Sequence, residues 1–191
     1  MLTVGATEHG ADVMLPALTS VLRDRLPDRR PRFRLDRNVS LADAVDRGLV
    51  DLAIMLDGSG LDRANASGVI ALQWVSARNF TARRGDPLPL VIYAEPCTLR
   101  EPAFALLEKQ RVDYEIVAEC GDLAGLYAAV RSGLGLALLP KIGKLPDGVC
   151  LAEGLPAPNS ASILVRGRSG LDPDLLSTVD SAVRDVLAAE K

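Results

Sequence analysis

Histidine is nearly absent from this chain, with His9 the single example. Any catalytic Ser–His–Asp or Cys–His arrangement would have to run through that one imidazole, and an exposed loop histidine or a ligand contact is the plainer reading. Aromatic residues make up only 4% of the sequence, so no base-stacking surface of the kind that holds single-stranded nucleic acid is evident. Cysteine is scarce as well. Cys97, Cys120 and Cys150 are odd in number and far apart, which argues against a disulfide framework and against a close-spaced zinc site and fits a reducing compartment. No apolar run approaches the ~20 residues of a membrane span. A secretory signal is not seen either, because residues 1–6 already read as a strand, so the chain is expected to be cytoplasmic or a fragment lacking its front end. Positive charge is in deficit, 22 Lys and Arg against 25 Asp and Glu for a net −3, which disfavours nucleic-acid binding by this chain alone. Arg23, Arg25, Arg29, Arg30, Arg32, Arg34 and Arg37 do cluster, but Asp24, Asp28 and Asp36 interleave with them, as on a solvated face.

What is present is the material of a globular core. Hydrophobic residues reach 48% against 25% charged, and 191 residues suffice for one large domain or two small ones. The organising stretch is GDLAGLYAAVRSGLGLALLP, residues 121–140. Asp122 stands where its carboxylate can cap a helix, Leu123, Leu126, Tyr127 and Val130 follow at helical spacing, and Arg131 suits the negative end of the dipole. Gly133 fits the left-handed stop position, and Leu134–Leu139 then reads as a strand covered on both faces. Free backbone donors at Gly121–Asp122 would lie beside the carboxyl ends of strands, where open α/β sheets bind small molecules.

Elsewhere strands and helices alternate. LTVGA at 2–6 is a strand, and Asp12 can cap the helix after it, whose apolar stripe runs from Val13 and Met14 to Leu26. Pro16 means that this helix either starts just before it or is kinked in its first turn. Phe33–Asp36 alternates like a half-buried strand, Ser40 and Asp43 have capping-box spacing, and Leu49–Leu56 reads as a central parallel strand. Residues 57–67 form a polar loop, and Val69–Val75 is a strand. The composition then shifts at Arg78, Arg83, Arg84 and Asp86, as at a crossing between lobes. Leu90–Tyr93 opens a second alternation, followed by a helix from about Thr98 to Gln110 and a strand at Asp113–Ala118. Residues 141–159 are a Pro- and Gly-rich return, Ala161–Val165 is a strand, and Asp172–Pro173 starts the most amphipathic helix of the chain. The order predicts an α/β fold of two Rossmann-like lobes joined by two crossovers, residues 1–75 with 158–191 in one lobe and 76–157 in the other. Two crossings make a hinge, and the interlobe cleft is the natural place for a ligand.

Four segments, LTVGATEHGADVMLPAL, LADAVDRGLVDLAIML, PLVIYAEPCTLREPAFALLE and LAGLYAAVRSGLGLALLP, resemble in order and spacing the effector-binding domain of LysR-type transcriptional regulators. The resemblance covers essentially the whole chain and implies a type II periplasmic-binding-protein-like fold. It implies a sensor rather than an enzyme, without cofactor or metal. A small-molecule effector would bind the cleft, the domain would form a homodimer or homotetramer, and DNA would be bound only through an N-terminal winged helix-turn-helix not present in this chain. A stand-alone solute receptor of the same fold is the alternative. Carried over by position, the cleft residues are Thr7, Glu8 and His9, Met55 and Leu56, Glu95, Pro96, Cys97 and Arg100, and Gly121 with Asp122. Thr7 is the expected donor to a carboxylate or carbonyl, and Arg100 the candidate partner of an anionic effector. Glu8, Glu95 and Asp122 favour an apolar or amine-bearing one equally. Cys97 is expected to head a helix, where a thiol is acidified and open to oxidants, with Cys120 the nearest second cysteine.

Overall fold

A computed structural model describes residues 1–58, 65–83 and 85–190. The elements are β1 (Leu2–Ala6), α1 (Ala11–Arg25), β2 (Pro31–Leu35), α2 (Asn38–Asp46), β3 (Leu52–Asp57), β4 (Gly68–Ala77), β5 (Leu88–Tyr93), α3 (Arg100–Lys109), β6 (Tyr114–Cys120), α4 (Leu123–Arg131), β7 (Ala137–Pro140), β8 (Val149–Leu151), β9 (Ser160–Gly167) and α5 (Pro173–Ala189). They gather into two compact units, Met1–Ile70 with Ala161–Lys191, and Ala71–Ser160. The chain changes unit in mid-strand, within β4 and at the start of β9. Residues 76 and 157, the expected limits of the second lobe, therefore lie inside the second unit. The stretch 78–87, apart from Arg84 outside the described residues, joins β4 to β5 there. Of the expected polar loop, residues 59–64 lie outside the described residues.

In the first unit the strand order is β2-β1-β3-β9, with β1 parallel to β2 and β3, and β9 antiparallel to β3 from Leu52↔Gly167 to Asp57↔Ser162. Gly5 lets α2 lie on one face, since a Cβ there would meet the Leu41 side chain at 2.7 Å. Leu41, Ala44, Val45, Val50, Ala53 and Met55 form the core on that side. Alternation turns Val4, Ala6, Leu52, Ile54 and Leu56 to the other face, all buried. The stripes of α1 (Met14, Leu18, Leu22) and α5 (Leu175, Val179, Val183, Leu187), which lie side by side, are buried too. Asp51 ties three strands at their other end: it accepts from the Thr3 amide at 2.7 Å and from Arg168 Nε at 2.8 Å. Desolvation works to raise its pKa, but these bonds and the Arg168 charge outweigh that and hold it below the usual carboxylate range.

Three local expectations are corrected here. Gly10, in the left-handed conformation (φ 77°), opens α1 at Ala11, so Asp12 sits in the first turn and caps nothing, while the helix runs on through Pro16 at the loss of one backbone bond. The Ser40–Asp43 box does not form, because α2 already starts at Asn38; instead Asp36 accepts from the Arg37 amide at 2.8 Å and is hydrogen-bonded by Arg34 and Ser40. As an edge strand β2 buries little: Phe33 is half-buried and Leu35 is 48% exposed. The arginines 23, 25, 29, 30, 32 and 34 are exposed, as a solvated face requires.

In the second unit β5 and β6 pair in parallel with a register shift after Leu90, and β7 and β8 both pair antiparallel with β4. α4 forms as its sequence dictates, with Asp122 Oδ1 accepting from the Gly125 amide at 2.7 Å and Gly133 at φ 82°. The run 134–139 is not one parallel strand. Leu134 is 51% exposed, Leu136 bridges in parallel to Leu90, and only then does β7 pair antiparallel with β4. Gly135 causes the split: a Cβ there would stand 2.4 Å from the Pro89 carbonyl oxygen, so only glycine lets the two backbones meet. Val75, Val91, Leu126, Val130, Ala137 and Leu139 are among the core residues. The return 141–159 hides β8, at three residues too short to show alternation, and is tied down by Trp74 Nε1 donating to the Pro156 carbonyl at 3.0 Å.

Candidate functional site

The candidate residues lie where parallel strands end and helices begin, and each unit supplies its own set. After β1, Thr7 spends its amide on the Ile54 carbonyl at 3.2 Å, so its backbone is not among the donors a ligand would meet. Its half-buried hydroxyl has no protein partner among the described residues. Glu8 follows, its carbonyl accepting from Ala11 at 3.2 Å as the chain turns into α1. His9 keeps part of its surface accessible, yet enough protein surrounds it that burial, opposed by the nearby Glu8 charge, lowers its pKa to about 4. At neutral pH it is an uncharged donor and acceptor.

At the end of β3 the two expected residues are both buried. Met55 belongs to the core against α2, because it alternates onto the same face as Ala53. Leu56 is held from an unforeseen direction. Asn38, the first residue of α2, accepts from the Leu56 amide at 3.2 Å and donates through Nδ2 to the Leu56 carbonyl, acting as a substitute strand partner. A polar residue at a helix start is legible in sequence, but a bond reaching 18 residues along the chain is not.

In the second unit Arg100 is already neutralised. Its guanidinium meets Glu119 at 3.1 Å, Glu95 at 3.6 Å and the Tyr93 carbonyl at 3.4 Å, and it lies over the Phe104 ring at 5.8 Å. With its side chain only 13% exposed it is a strut between β5, β6 and α3 rather than an open cation. Glu95 and Pro96, joined by a cis peptide bond, are exposed. Cys97 does not head a helix: α3 begins three residues later, at Arg100, whose amide donates to the Cys97 carbonyl at 3.4 Å. Cys120 ends β6, and burial together with the Asp122 charge pushes its thiol pKa up, away from the reactive thiolate. All three cysteines are reduced thiols and half-buried. Gly121 is exposed with nothing within 4 Å of a Cβ placed on it, while Asp122 has one carboxylate oxygen committed to its cap. Among the described residues no group of three or more His, Cys, Asp or Glu is placed to hold a metal ion, and no helix is long and apolar enough to cross a membrane.

Comparison with known proteins places this geometry. The regulatory domain of OxyR2 from Vibrio vulnificus, in its reduced form, superimposes with a TM-score of 0.76 at 19% identity, over 97% of this chain and 95% of that one. An H2O2-bound variant of OxyR from Corynebacterium glutamicum gives 0.70 at 18% identity, over 99% of this chain and 66% of that one. In sequence, the HTH-type transcriptional regulator PecT of Dickeya dadantii (strain 3937) is 24% identical over 185 residues, 95% of this chain and 58% of that protein. DgdR of Burkholderia cepacia, also an HTH-type transcriptional regulator, is 26% identical over 156 residues, 80% of this chain and 51% of that protein. The chain thus spans little more than half the length of these relatives. The family described as LysR substrate binding domain matches residues 1–174. With an α/β fold like that of the type II periplasmic binding proteins and a match over nearly its whole length, this chain belongs to the LysR substrate-binding domain family.

Proposed function

We propose that this chain is the effector-sensing part of a LysR-type transcriptional regulator. It holds a small metabolite, and binding changes how the complete protein engages DNA. The family match over residues 1–174 carries this reading. The Thr7 hydroxyl, which has no protein partner among the described residues, supports it from the geometry. DNA contact belongs to an N-terminal helix-turn-helix domain like that of the longer HTH-type relatives, the chain works in the cytoplasm, and it carries out no chemistry on what it binds. A stand-alone solute receptor of the same fold would be recognised by an export signal in the coding sequence upstream.

Oligomerisation forms part of the same proposal. The edge strands β2 and β6 expose Leu35, Ile116 and Val117, and uncovered edges with apolar side chains call for a partner. Arg32 lies on one of these edges and Glu115 on the other, so two copies offer each other opposite charge.

A thermal-shift screen of the purified domain against a metabolite library tests the sensing role. A compound at 100 times its Kd adds roughly 2.7 kcal/mol of stability, and we expect at least one hit whose shift is lost in Thr7→Ala. A library without hits, joined to a Cys97-dependent shift with hydrogen peroxide, would replace metabolite sensing by redox sensing. The raised Cys120 pKa and the position of Cys97 outside α3 weigh against that outcome.

A further inference from the structure

Arg23, Arg25, Arg29, Arg30 and Arg32 stand exposed in one short stretch, from the end of α1 across the turn to the start of β2. Only Asp24 and Asp28 lie among them, so this stretch is net positive in a chain whose total is −3. None of the five is in an ion pair among the described residues, and Arg29 reaches Asp51 only through its field. Other arginines of the first unit are placed differently: Arg34, Arg47, Arg166, Arg168 and Arg184 each meet an aspartate. Like charges crowded without partners repel one another, a cost that an anion from outside the domain relieves.

The surroundings of the turn say what kind of anion. Between Arg23 and Arg32 no large hydrophobic side chain is exposed, Leu26 being half-buried, so the apolar centre of a protein interface is missing. A phosphate backbone needs no such centre. Duplex DNA carries one charge per about 1.7 Å of its axis, and arginine forks hold it without regard to sequence. The turn also lies beside the start of β1, where Leu2 donates its amide to the Arg30 carbonyl at 3.2 Å and pairs in register with Pro31. A DNA-binding domain joined ahead of β1 would keep DNA at high effective concentration near these arginines, where even a weak contact counts.

We propose that Arg23, Arg25, Arg29 and Arg30 form an auxiliary contact to the phosphate backbone of duplex DNA. This rests on the regulator role proposed above and goes beyond it. Base recognition stays with the N-terminal domain, and this surface adds affinity without sequence preference.

The test is fluorescence anisotropy of a labelled duplex of mixed sequence, two helical turns long, titrated with this domain at low salt. At about 20 mM salt the expected Kd is on the order of 10⁻⁵ M, with a slope of log K against log salt of about −3.6 for four phosphates. Arg29→Gln combined with Arg30→Gln should bring the slope to about −1.8 and weaken binding at least roughly tenfold, with Tm unchanged because both side chains are exposed. Lys141→Gln combined with Lys144→Gln removes the same charge from exposed side chains of the second unit and should leave the slope as in wild type. No binding at low salt overturns the proposal, as does an equal slope in the two double variants. Sedimentation equilibrium under the same conditions covers the other partner: an arginine variant of lower oligomeric state than wild type would assign these side chains to a contact between copies and overturn it too. None of these failures touches effector sensing, which the metabolite screen decides separately. A domain that binds duplex DNA through these arginines yet responds to no metabolite would keep the contact and discard the sensor.

Discussion

His9 shows how little a residue's identity settles without its surroundings. Loop position and rarity marked it for attention in the sequence, and the fold turns it into a group that resists protonation. Unfolded, it titrates near 6.5; folded, near 4. Between those values the unfolded chain binds a proton that the folded chain refuses, so stability rises with pH across the window. The contribution is complete above pH 6.5 and is lost as pH falls toward 4, on the order of 3 kcal/mol in all. We expect His9→Gln to flatten the dependence of Tm on pH between 6.5 and 4. The acid loss below that range should remain, because it belongs to Asp36, Asp51 and Asp180, whose pKa values are held below 3.8 by their hydrogen bonds and arginine partners. An unchanged slope in His9→Gln would mean that the imidazole is not enclosed in solution. Arg100 makes the same point in reverse. Its sequence position offered a cation to a ligand, and the fold surrounds it with Glu119, Glu95 and the Tyr93 carbonyl.

Elements were legible wherever periodicity ran long enough to be read. α5 needs only its own sequence, with Asp172 accepting from Asp174 at 3.0 Å, Pro173 in the first turn and five buried residues along one stripe. α4 likewise has its cap, stripe and stop within a dozen residues. What local pattern could not carry was pairing. The run 134–139 is uniformly apolar, and nothing in it says that Leu136 joins β5 while the following residues join β4. β8 is too short to alternate, and the bond from Asn38 to Leu56 spans 18 residues. Gly135 is where such non-local pairing becomes testable. A methyl group there would lie 2.4 Å from the Pro89 oxygen and 2.9 Å from its carbon, both backbone atoms that cannot swing aside. Gly135→Ala should therefore cost about 2–3 kcal/mol and lower Tm by roughly 5–10 °C for a chain of this size. A variant melting within a degree of wild type would show that β5 and β7 do not approach as described.

At the scale of the whole molecule, the alternation of strands and helices and the four family-like segments were enough to anticipate the fold, because hydrophobic period and segment order are properties of the chain itself. The limits of the units were less legible, since the chain passes between them inside strands that show no break in composition. The candidate site residues were legible least. Position after a strand nominated them, but whether a side chain remains open depends on neighbours distant in sequence, as Met55 in the core and Arg100 among its carboxylates both show. The central claim is that this domain binds one small molecule through Thr7 at the end of β1. It is tested most directly by calorimetric titration of a screened effector into wild type and Thr7→Ala, which removes a hydroxyl that has no protein partner among the described residues. The account predicts one molecule bound per chain, with Kd raised roughly tenfold in the variant and the unliganded Tm unchanged. An affinity in Thr7→Ala indistinguishable from wild type would contradict it.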